Sequence, residues 1–501
     1  MSKLDRLNEL EAKKQSVLQG GGKDKIDKQH ADKKMTARER ISKLLDDKSF
    51  IETDAFAELS AAAEGFEAVS AAGEGVVTGY GTINSRPVYV FSQDFTVLSG
   101  SLGYMHTQKI LKVLDMAGKQ GVPVVGILDS AGARLGEGAA SLNGLSKIMK
   151  KMTTLSGVVP MISIVAGPCA GSASYLTALS DFVFAVDNIG GIYNSSPGVF
   201  GEDANSVGGA MALNEKSGLA HFFATDENTC FVQVKTLMEY LPFNNVEDAP
   251  IYEQTDDLNR PLQGLDTASS VDTKEVITAI ADNAQFLEVQ AYFSTNVIIG
   301  FIRLNGFVTG VVANNGGSFL CAEAAEKAAR FIRFCDAYNT PILTLADTQG
   351  YAIDADAERN GQVKDGAKLI YAYAEASVPM VTVICGNAIG SGFVSMCPKG
   401  LGADMVYAWP DAVISCLPAK TAVDIIMTQD LKKADNPMEK REELNKLYAE
   451  KFANPFEAAK QGAIDDIIAP SATRQRVIAG LEMAFGKRDM ITPKKHGVMP
   501  L

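Results

Sequence analysis

Apolar and polar positions change texture along the chain. Residues 1–50 are Lys-rich, with apolar residues at helical spacing: Leu4, Leu7 and Leu10, then Ile41, Leu44 and Leu45. Thr36 and Glu39 stand where a capping box needs them. The pattern predicts a solvated helical arm interrupted at Gly20-Gly21-Gly22. A sharper reading has its Lys and Arg side chains hold an anionic cofactor. From about residue 75, short apolar runs alternate with amphipathic stretches. Val122 to Leu128 and Met161 to Ala166 read as strands buried on both faces, Met105 to Ala117 and Leu142 to Met152 as helices. Helices alternating with strands that show no polar face predict an α/β fold.

The same order then recurs. Gly121 to Ala133 has a partner in Asn339 to Tyr351: a strand, an Asp, then a small polar turn containing Gly. Val158 to Ser172 has a partner in Ser377 to Ser391, and Gly79 to Val88 resembles Gly300 to Val308. The spacing from Asp129 to Asp347 is nearly the same as from Gly171 to Gly390 and from Gly79 to Gly300. A near-constant offset over ordered landmarks predicts two copies of one fold. The junction falls in the polar stretch 245–272.

The paired turns carry the candidate chemistry. Gly167-Pro168-Cys169-Ala170-Gly171-Ser172 and Gly386-Asn387-Ala388-Ile389-Gly390-Ser391-Gly392 each follow a buried strand and enter a helix. A helix start offers backbone N–H groups without partners, and small residues let a carbonyl approach them. Each such donor to an oxyanion is worth ~3–4 kcal/mol. A single glycine turn serves tight packing equally well; two matched turns favour chemistry.

Composition narrows the classes. The chain has 501 residues, 46% hydrophobic, and carries 47 Lys+Arg against 60 Asp+Glu, a net charge of −13. That balance argues against nucleic acid as the main partner and leaves room for a local basic patch. Seven Cys without a Cys-x-x-Cys pair argue against a disulfide framework or zinc ribbon. There is no P-loop and no Gly-x-Ser-x-Gly elbow, and the four His form no ligand pair, so no metal is expected. Ser172, Ser174 and Ser391 are candidate nucleophiles of a serine hydrolase, though no His/Asp partner is apparent in the pattern. No signal peptide or long apolar run is apparent, so the expectation is a soluble cytoplasmic protein. Oxyanion donors without an evident acid, base or nucleophile imply that substrate or cofactor brings the base.

Several segments resemble the biotin-dependent acyl-CoA carboxyltransferases. They are Lys28-Gln29-His30, Thr36-Ala37-Arg38-Glu39-Arg40-Ile41, Ser92 to Val97, Asp129-Ser130-Ala131-Gly132-Ala133-Arg134 with Glu137-Gly138, and Gly167 to Gly171. Ala328 to Asp336, Gly366 to Ala376 and Leu401 to Asp404 continue the likeness over nearly the whole chain. The resemblance implies two tandem crotonase-like (ClpP-like) domains: 1–250 on the acyl-CoA side, with the arm 1–50, and 251–501 on the biotin side.

It further implies carboxyl transfer between biotin on a separate carrier and the α-carbon of a short acyl-CoA such as methylmalonyl- or propionyl-CoA. The biotin ureido group acts as base. The N–H groups of Gly171 and Ser172 would hold the thioester enolate, those of Ser391 and Gly392 the ureido oxygen. Ser130, Gly132, Ala133 and Arg134 would line the CoA site, Arg134 pairing with a phosphate. Gly350, Tyr351 and Gly390 would serve the biotin side. The implied partners are a biotin carboxyl carrier or biotin carboxylase subunit, and further copies of the chain in a homohexamer. Alternatives are the α subunit of a sodium-pumping methylmalonyl- or glutaconyl-CoA decarboxylase, with a membrane subunit as partner, and a non-catalytic CoA-binding scaffold. One departure from the family pattern is Ser172 in the first half; the others gather in the second, at Ser391, at Asp347 to Tyr351, at Arg359 to Asp365 and in a shortened loop after Asn314.

Overall fold

The structure, a computed structural model, describes residues 2–58, 72–195, 197–199, 201–267, 272–488 and 492–500. The chain divides into two compact units, Met1–Asp248 and Ala249–Leu501. Within the stretch 245–272 read as the junction, residues 268–271 lie outside the described residues.

The strands of the first unit are β1 (Ile51–Thr53), β2 (Val76–Ile83), β3 (Arg86–Gln93), β4 (Val124–Ser130), β5 (Met161–Ala170), β6 (Phe182–Val186), β7 (Gly191–Tyr193) and β8 (Phe222–Ala224). Its helices are α1 (Lys3–Leu18), α2 (Lys23–Ala31), α3 (Ala37–Leu44), α4 (Tyr104–Gln120), α5 (Ala139–Leu155), α6 (Tyr175–Ala178), α7 (Ala204–Gly208), α8 (Ala210–Glu215) and α9 (Glu227–Met238). The sheet runs β1-β2-β3-β4-β5-β6-β8, with β7 alongside β5. Pairing is antiparallel from β1 to β3 and parallel from β3 onward.

The second unit repeats this. Its strands are β9 (Phe286–Val289), β10 (Val297–Leu304), β11 (Phe307–Asn314), β12 (Ile342–Thr348), β13 (Met380–Ile389), β14 (Met405–Ala408), β15 (Val413–Ser415) and β16 (Asp466–Ile467). Its helices are α10 (Thr273–Ile280), α11 (Ala322–Ala337), α12 (Ala355–Arg359), α13 (Gln362–Glu375), α14 (Ser391–Ser395), α15 (Ala419–Ile426), α16 (Thr428–Lys433), α17 (Pro437–Phe452), α18 (Pro455–Lys460) and α19 (Thr473–Ala484). The order β9-β10-β11-β12-β13-β14-β16, with β15 beside β13, has the connectivity of the first sheet. Even an irregularity recurs: the register shifts between Leu128 and Ser130, and between Ala346 and Thr348.

The local sequence explains these elements. Every residue of β4 is buried, so the strand shows no polar face. It begins at Val124, two residues later than the apolar run, because the Val122 N–H donates to Ala117 O at the end of α4. It continues to Ser130 because pairing with β5 reaches Ser130 and Cys169. α4 outruns its expected end and stops at Gly121, whose φ of +65° suits a left-handed cap. Each unit has its own apolar core. In the first, Ile110, Leu114, Leu145 and Ile148 of two helices pack with Leu128 and Val165. In the second, Ile277, Ile298, Val311, Leu343, Val383 and Leu481 do the same.

The arm departs from expectation. α1 is solvated: none of its residues is buried, and Leu4 and Leu7 are exposed. α3 has the predicted capping box, Thr36 with Glu39, but buries Ala37, Arg40, Ile41 and Leu44. It packs against α9 and β3 and belongs to the fold of the first unit.

Candidate functional site

Two turns at the end of each sheet bring the sequence-predicted residues together. In the first unit, β4 runs into Ser130-Ala131-Gly132-Ala133. The Gly132 N–H donates to Ser130 Oγ (3.0 Å). Ala133 forms a parallel bridge with Leu102, with Leu102 N–H to Gly132 O (2.9 Å) and Arg134 N–H to Leu102 O (3.1 Å). Gly132 has φ +99°, and a Cβ there would stand 2.7 Å from Ala170 O. The second unit builds the same turn. Thr348 Oγ1 accepts from Gly350 N–H (3.2 Å), Tyr351 bridges to Leu320 and Leu320 N–H donates to Gly350 O (2.8 Å). Gly350 has φ +105°. Leu320 follows Leu102 by the same offset that separates Gly350 from Gly132.

The second turn of each pair follows β5 and β13. Gly171, at φ +60°, opens a 3-10 turn over Gly171–Ser174 that leads into α6. Among the described residues a Cβ on Gly171 would meet nothing within 4 Å, so this turn faces open space there. Gly390, at φ +57°, donates its N–H to Ser415 O (2.8 Å) and leads into α14. Gly392 lies against the neighbouring turn: a Cβ there would be 2.7 Å from Thr348 Cγ2 and 2.9 Å from Gly350 Cα. Thus Gly132 sits beside Ala170 and Gly171 in the first unit, and Gly350 beside Gly392 in the second. Ser172 is half-buried and Ser391 exposed. The first N–H groups of a helical turn lack partners within it. Both sites can therefore offer backbone donors to a developing negative charge.

Some side chains around the turns bond back to the fold. Ser174 Oγ donates to Gly171 O (2.7 Å). The four His lie elsewhere: His30 on Glu39, His106 on Glu74 O, His221 on the Val183 N–H and His496 on Gly497 O. None stands beside Ser172, Ser174 or Ser391 in a nucleophile–base pair. Burial pushes the His106 imidazole down to about 3, so it is neutral. Tyr351 donates to Ser395 Oγ (3.2 Å), and burial raises its phenol pKa.

Arg134 is held within its own unit. Nη1 reaches Glu74 Oε2 (2.6 Å) and Glu137 Oε1 (2.9 Å), Nη2 reaches Ser101 O (2.9 Å) and Glu74 O (3.2 Å), and Nε reaches Ser101 Oγ (3.4 Å). The guanidinium thereby ties the loop after β4 to the segments carrying Glu74 and Ser101.

Beneath the first turn lies a network that pattern reading missed. Asp129 is fully buried and is met by Lys34 Nζ (2.8 Å), Arg40 Nη1 (2.9 Å) and Gln29 Nε2 (3.3 Å). Arg40 Nε pairs with Glu227 (2.5 Å), and Nη2 donates to Ala166 O (2.7 Å). Burial alone would lower the Arg40 pKa, but Asp129 and Glu227 hold it above its ordinary value. Gly167 permits this approach, since a Cβ there would overlap the Asp129 carboxylate. Lys34, Arg40 and Glu227 stand too far from Asp129 in sequence for any local pattern to join them. Leu102 and Leu320 could have been found by carrying the offset between the two halves through the loops. Among the described residues no group of three His, Cys, Asp or Glu is placed to hold a metal ion, and no helix is long and apolar enough to cross a membrane.

Comparison with known proteins gives a consistent result. Residues 28–499 match the Carboxyl transferase domain family. The chain is 43% identical to the methylmalonyl-CoA decarboxylase subunit alpha of Propionigenium modestum, covering 99% of both chains. It is 44% identical to the propionyl-CoA carboxylase carboxyltransferase subunit of Haloferax mediterranei, covering all of both. A solved transcarboxylase 12S structure, a hexamer with methylmalonyl-coenzyme A and methylmalonic acid bound, superposes with a TM-score of 0.95 at 39% identity. That match covers 100% of this chain and 99% of the other.

Proposed function

The chain belongs to the carboxyl transferase domain family, and from that premise we propose that it exchanges a carboxyl group between biotin on a separate carrier and the α-carbon of methylmalonyl- or propionyl-CoA. The observation that carries the proposal is the repeated turn. A positive-φ glycine, Gly171 or Gly390, ends a central strand, starts a helix and lies close to a second glycine turn. An enolate chemistry needs two electrostatic holds, one on each partner's oxygen, and the duplication supplies two.

The N–H groups of Gly171 and Ser172 hold the thioester oxygen as charge develops on it. The open space over Gly171 is the room that carbonyl requires. Ser391 and Gly392 offer the matching donors to the ureido oxygen. Biotin, when bound, supplies the carboxyl group and, through its ureido group, the base. Val394 is exposed one turn into α14 and gives the acyl pocket an apolar wall. Ser130, Gly132 and Ala133 line the CoA path, and Arg134 orders that loop. Pairing of Arg134 with a CoA phosphate requires exchange of Glu137 for the phosphate. Gly350 and Tyr351 brace the biotin-side turn. The working form is a cytoplasmic homohexamer.

The test is carboxyl exchange itself. The purified protein with methylmalonyl-CoA and biotin, free or on its carrier, is expected to release CO2 and propionyl-CoA only when biotin is present. Absence of turnover with the carrier would overturn the catalytic reading, and calorimetric binding of CoA thioesters without turnover would leave a scaffold. The likeness to a decarboxylase alpha subunit favours a second reading, in which the same half-reaction serves a sodium pump. Co-purification with a membrane subunit and sodium-dependent decarboxylation would select it.

A further inference from the structure

The duplication lets each residue be compared with its counterpart, and one matched pair of carboxylates differs in its surroundings. In the first unit the carboxylate at the end of β4, Asp129, is neutralised by Lys34 and Arg40. Its backbone N–H donates to Gln93 Oε1 (3.1 Å). In the second unit the counterpart, Asp347, keeps the backbone arrangement, with its N–H donating to Asn314 Oδ1 (3.1 Å). The cations are missing. Asp347 Oδ1 accepts from the Asn387 N–H (2.7 Å) and Nδ2 (3.2 Å), and no Lys or Arg pairs with it among the described residues. Arg40 is the fourth residue after the Thr36 cap of α3, and the fourth after the Asp272 cap of α10 is Val276.

The space vacated is a cleft of about 580 Å³. Asp347, Asn314, Val276 and Trp409 line it, with Asp266 and Asp411 also on its wall, and among the described residues no Lys, Arg or His contributes. A second observation points to a ligand. Asn314 is 1% exposed, and its Nδ2 has no hydrogen-bond partner. Its counterpart Gln93 Nε2 lies 3.4 Å from His106 Nε2, and Ala324 stands at the position in the second half that matches His106. The cleft thus presents an uncompensated carboxylate, an unused amide donor, apolar walls and net negative charge. The glycine turn at Gly390–Gly392 contributes nothing to its lining.

We propose that this cleft binds a small guanidinium-bearing molecule with a neutral hydrogen-bond acceptor, its guanidinium on Asp347 as Arg40 sits on Asp129, and its acceptor on Asn314 Nδ2. Charge-assisted pairing at a partly dry carboxylate supplies most of the affinity, and the acidic wall rejects anions.

The test is calorimetric titration of the full chain with L-argininamide and with its neutral isostere L-citrullinamide. Argininamide is expected to bind, and citrullinamide to bind at least roughly tenfold more weakly. Asp347→Asn keeps the Oδ1 acceptor for Asn387 and removes the charge, so it too should weaken argininamide at least roughly tenfold. Val276→Arg should fill the cleft with the chain's own guanidinium, raise the Tm without ligand and abolish the titration. No binding to the wild-type chain up to about 10 mM, or equal binding of the two probes, or undiminished binding by Asp347→Asn, overturns the proposal. None of these readouts depends on carboxyl transfer, so the proposal and the catalytic reading fail separately.

Discussion

Arg40 is a fully buried cation shared by two buried carboxylates, and each nitrogen of its guanidinium donates a hydrogen bond. Removing it leaves Glu227 without its cation and Asp129 with Lys34 alone. Arg40→Met is expected to destabilise the first unit by ~3–5 kcal/mol in urea denaturation, the usual cost of breaking a buried pair from one side. The glycines of the two turns separate catalysis from packing. A methyl group on Gly171 meets nothing, so Gly171→Ala costs only the strain of φ +60°, about 1 kcal/mol, and the fold survives. In the proposed site that methyl group would occupy the space of the acyl carbonyl, and kcat should fall at least ~100-fold. Gly392→Ala drives a methyl group into Thr348 and Gly350, so its first effect should be a lower Tm. If Gly171→Ala leaves kcat unchanged, the oxyanion assignment is wrong. If Gly392→Ala leaves Tm unchanged, the packing argument is wrong.

At the scale of elements, α4 and α11 do the same work in the two units. Lys109 of α4 donates to Gly73 O and Val76 O. Lys327 of α11 donates to Gln290 O, Phe293 O and Val297 O. Each ammonium satisfies carbonyls where the chain enters β2 or β10, and burial lowers both pKa values to about 8. His106, also on α4, gives that helix a pH dependence that α11 lacks. Folded His106 stays neutral down to about pH 3, whereas an unfolded imidazole protonates near ~6.5. Between those values the unfolded state binds the extra proton, so its share of stability is complete above ~6.5 and declines as pH falls, by up to ~1.4 kcal/mol per pH unit. His106→Gln should remove that slope. The stability gap between wild type and variant should narrow from pH 7 to pH 5, measured by urea unfolding at each pH. A constant gap would mean that His106 already titrates normally.

At the scale of the molecule, each unit has its own sheet and core, and the chain crosses between them at an exposed stretch holding Val246 and Ile251. Glu247 is exposed there. Limited cleavage with a Glu-specific protease should cut after Glu247 and leave two fragments whose helix and strand signals in circular dichroism sum to that of the intact chain. Loss of that signal on cleavage would mean that neither unit holds its fold alone.

Sequence by itself determined the α/β class, the duplication and the turn glycines, and its motifs carried the resemblance to the family. The first three are written in local pattern: apolar runs long enough for a strand, glycine where φ must be positive, and the same order again in the second half. Tertiary structure decided how the charges are used. Nothing in the spacing of Lys34, Arg40, Asp129 and Glu227 shows that three elements bury them together, so the arm read as solvated proved half core. Nothing around Arg134 shows that Glu74 and Glu137 hold its guanidinium. The two halves likewise match in pattern yet differ in electrostatics, because Val276 stands where Arg40 would and leaves Asp347 facing a cleft. Backbone turns follow from short-range sterics and are legible locally. Burying a charge depends on partners brought from distant parts of the chain, and only the folded chain shows which partners arrive.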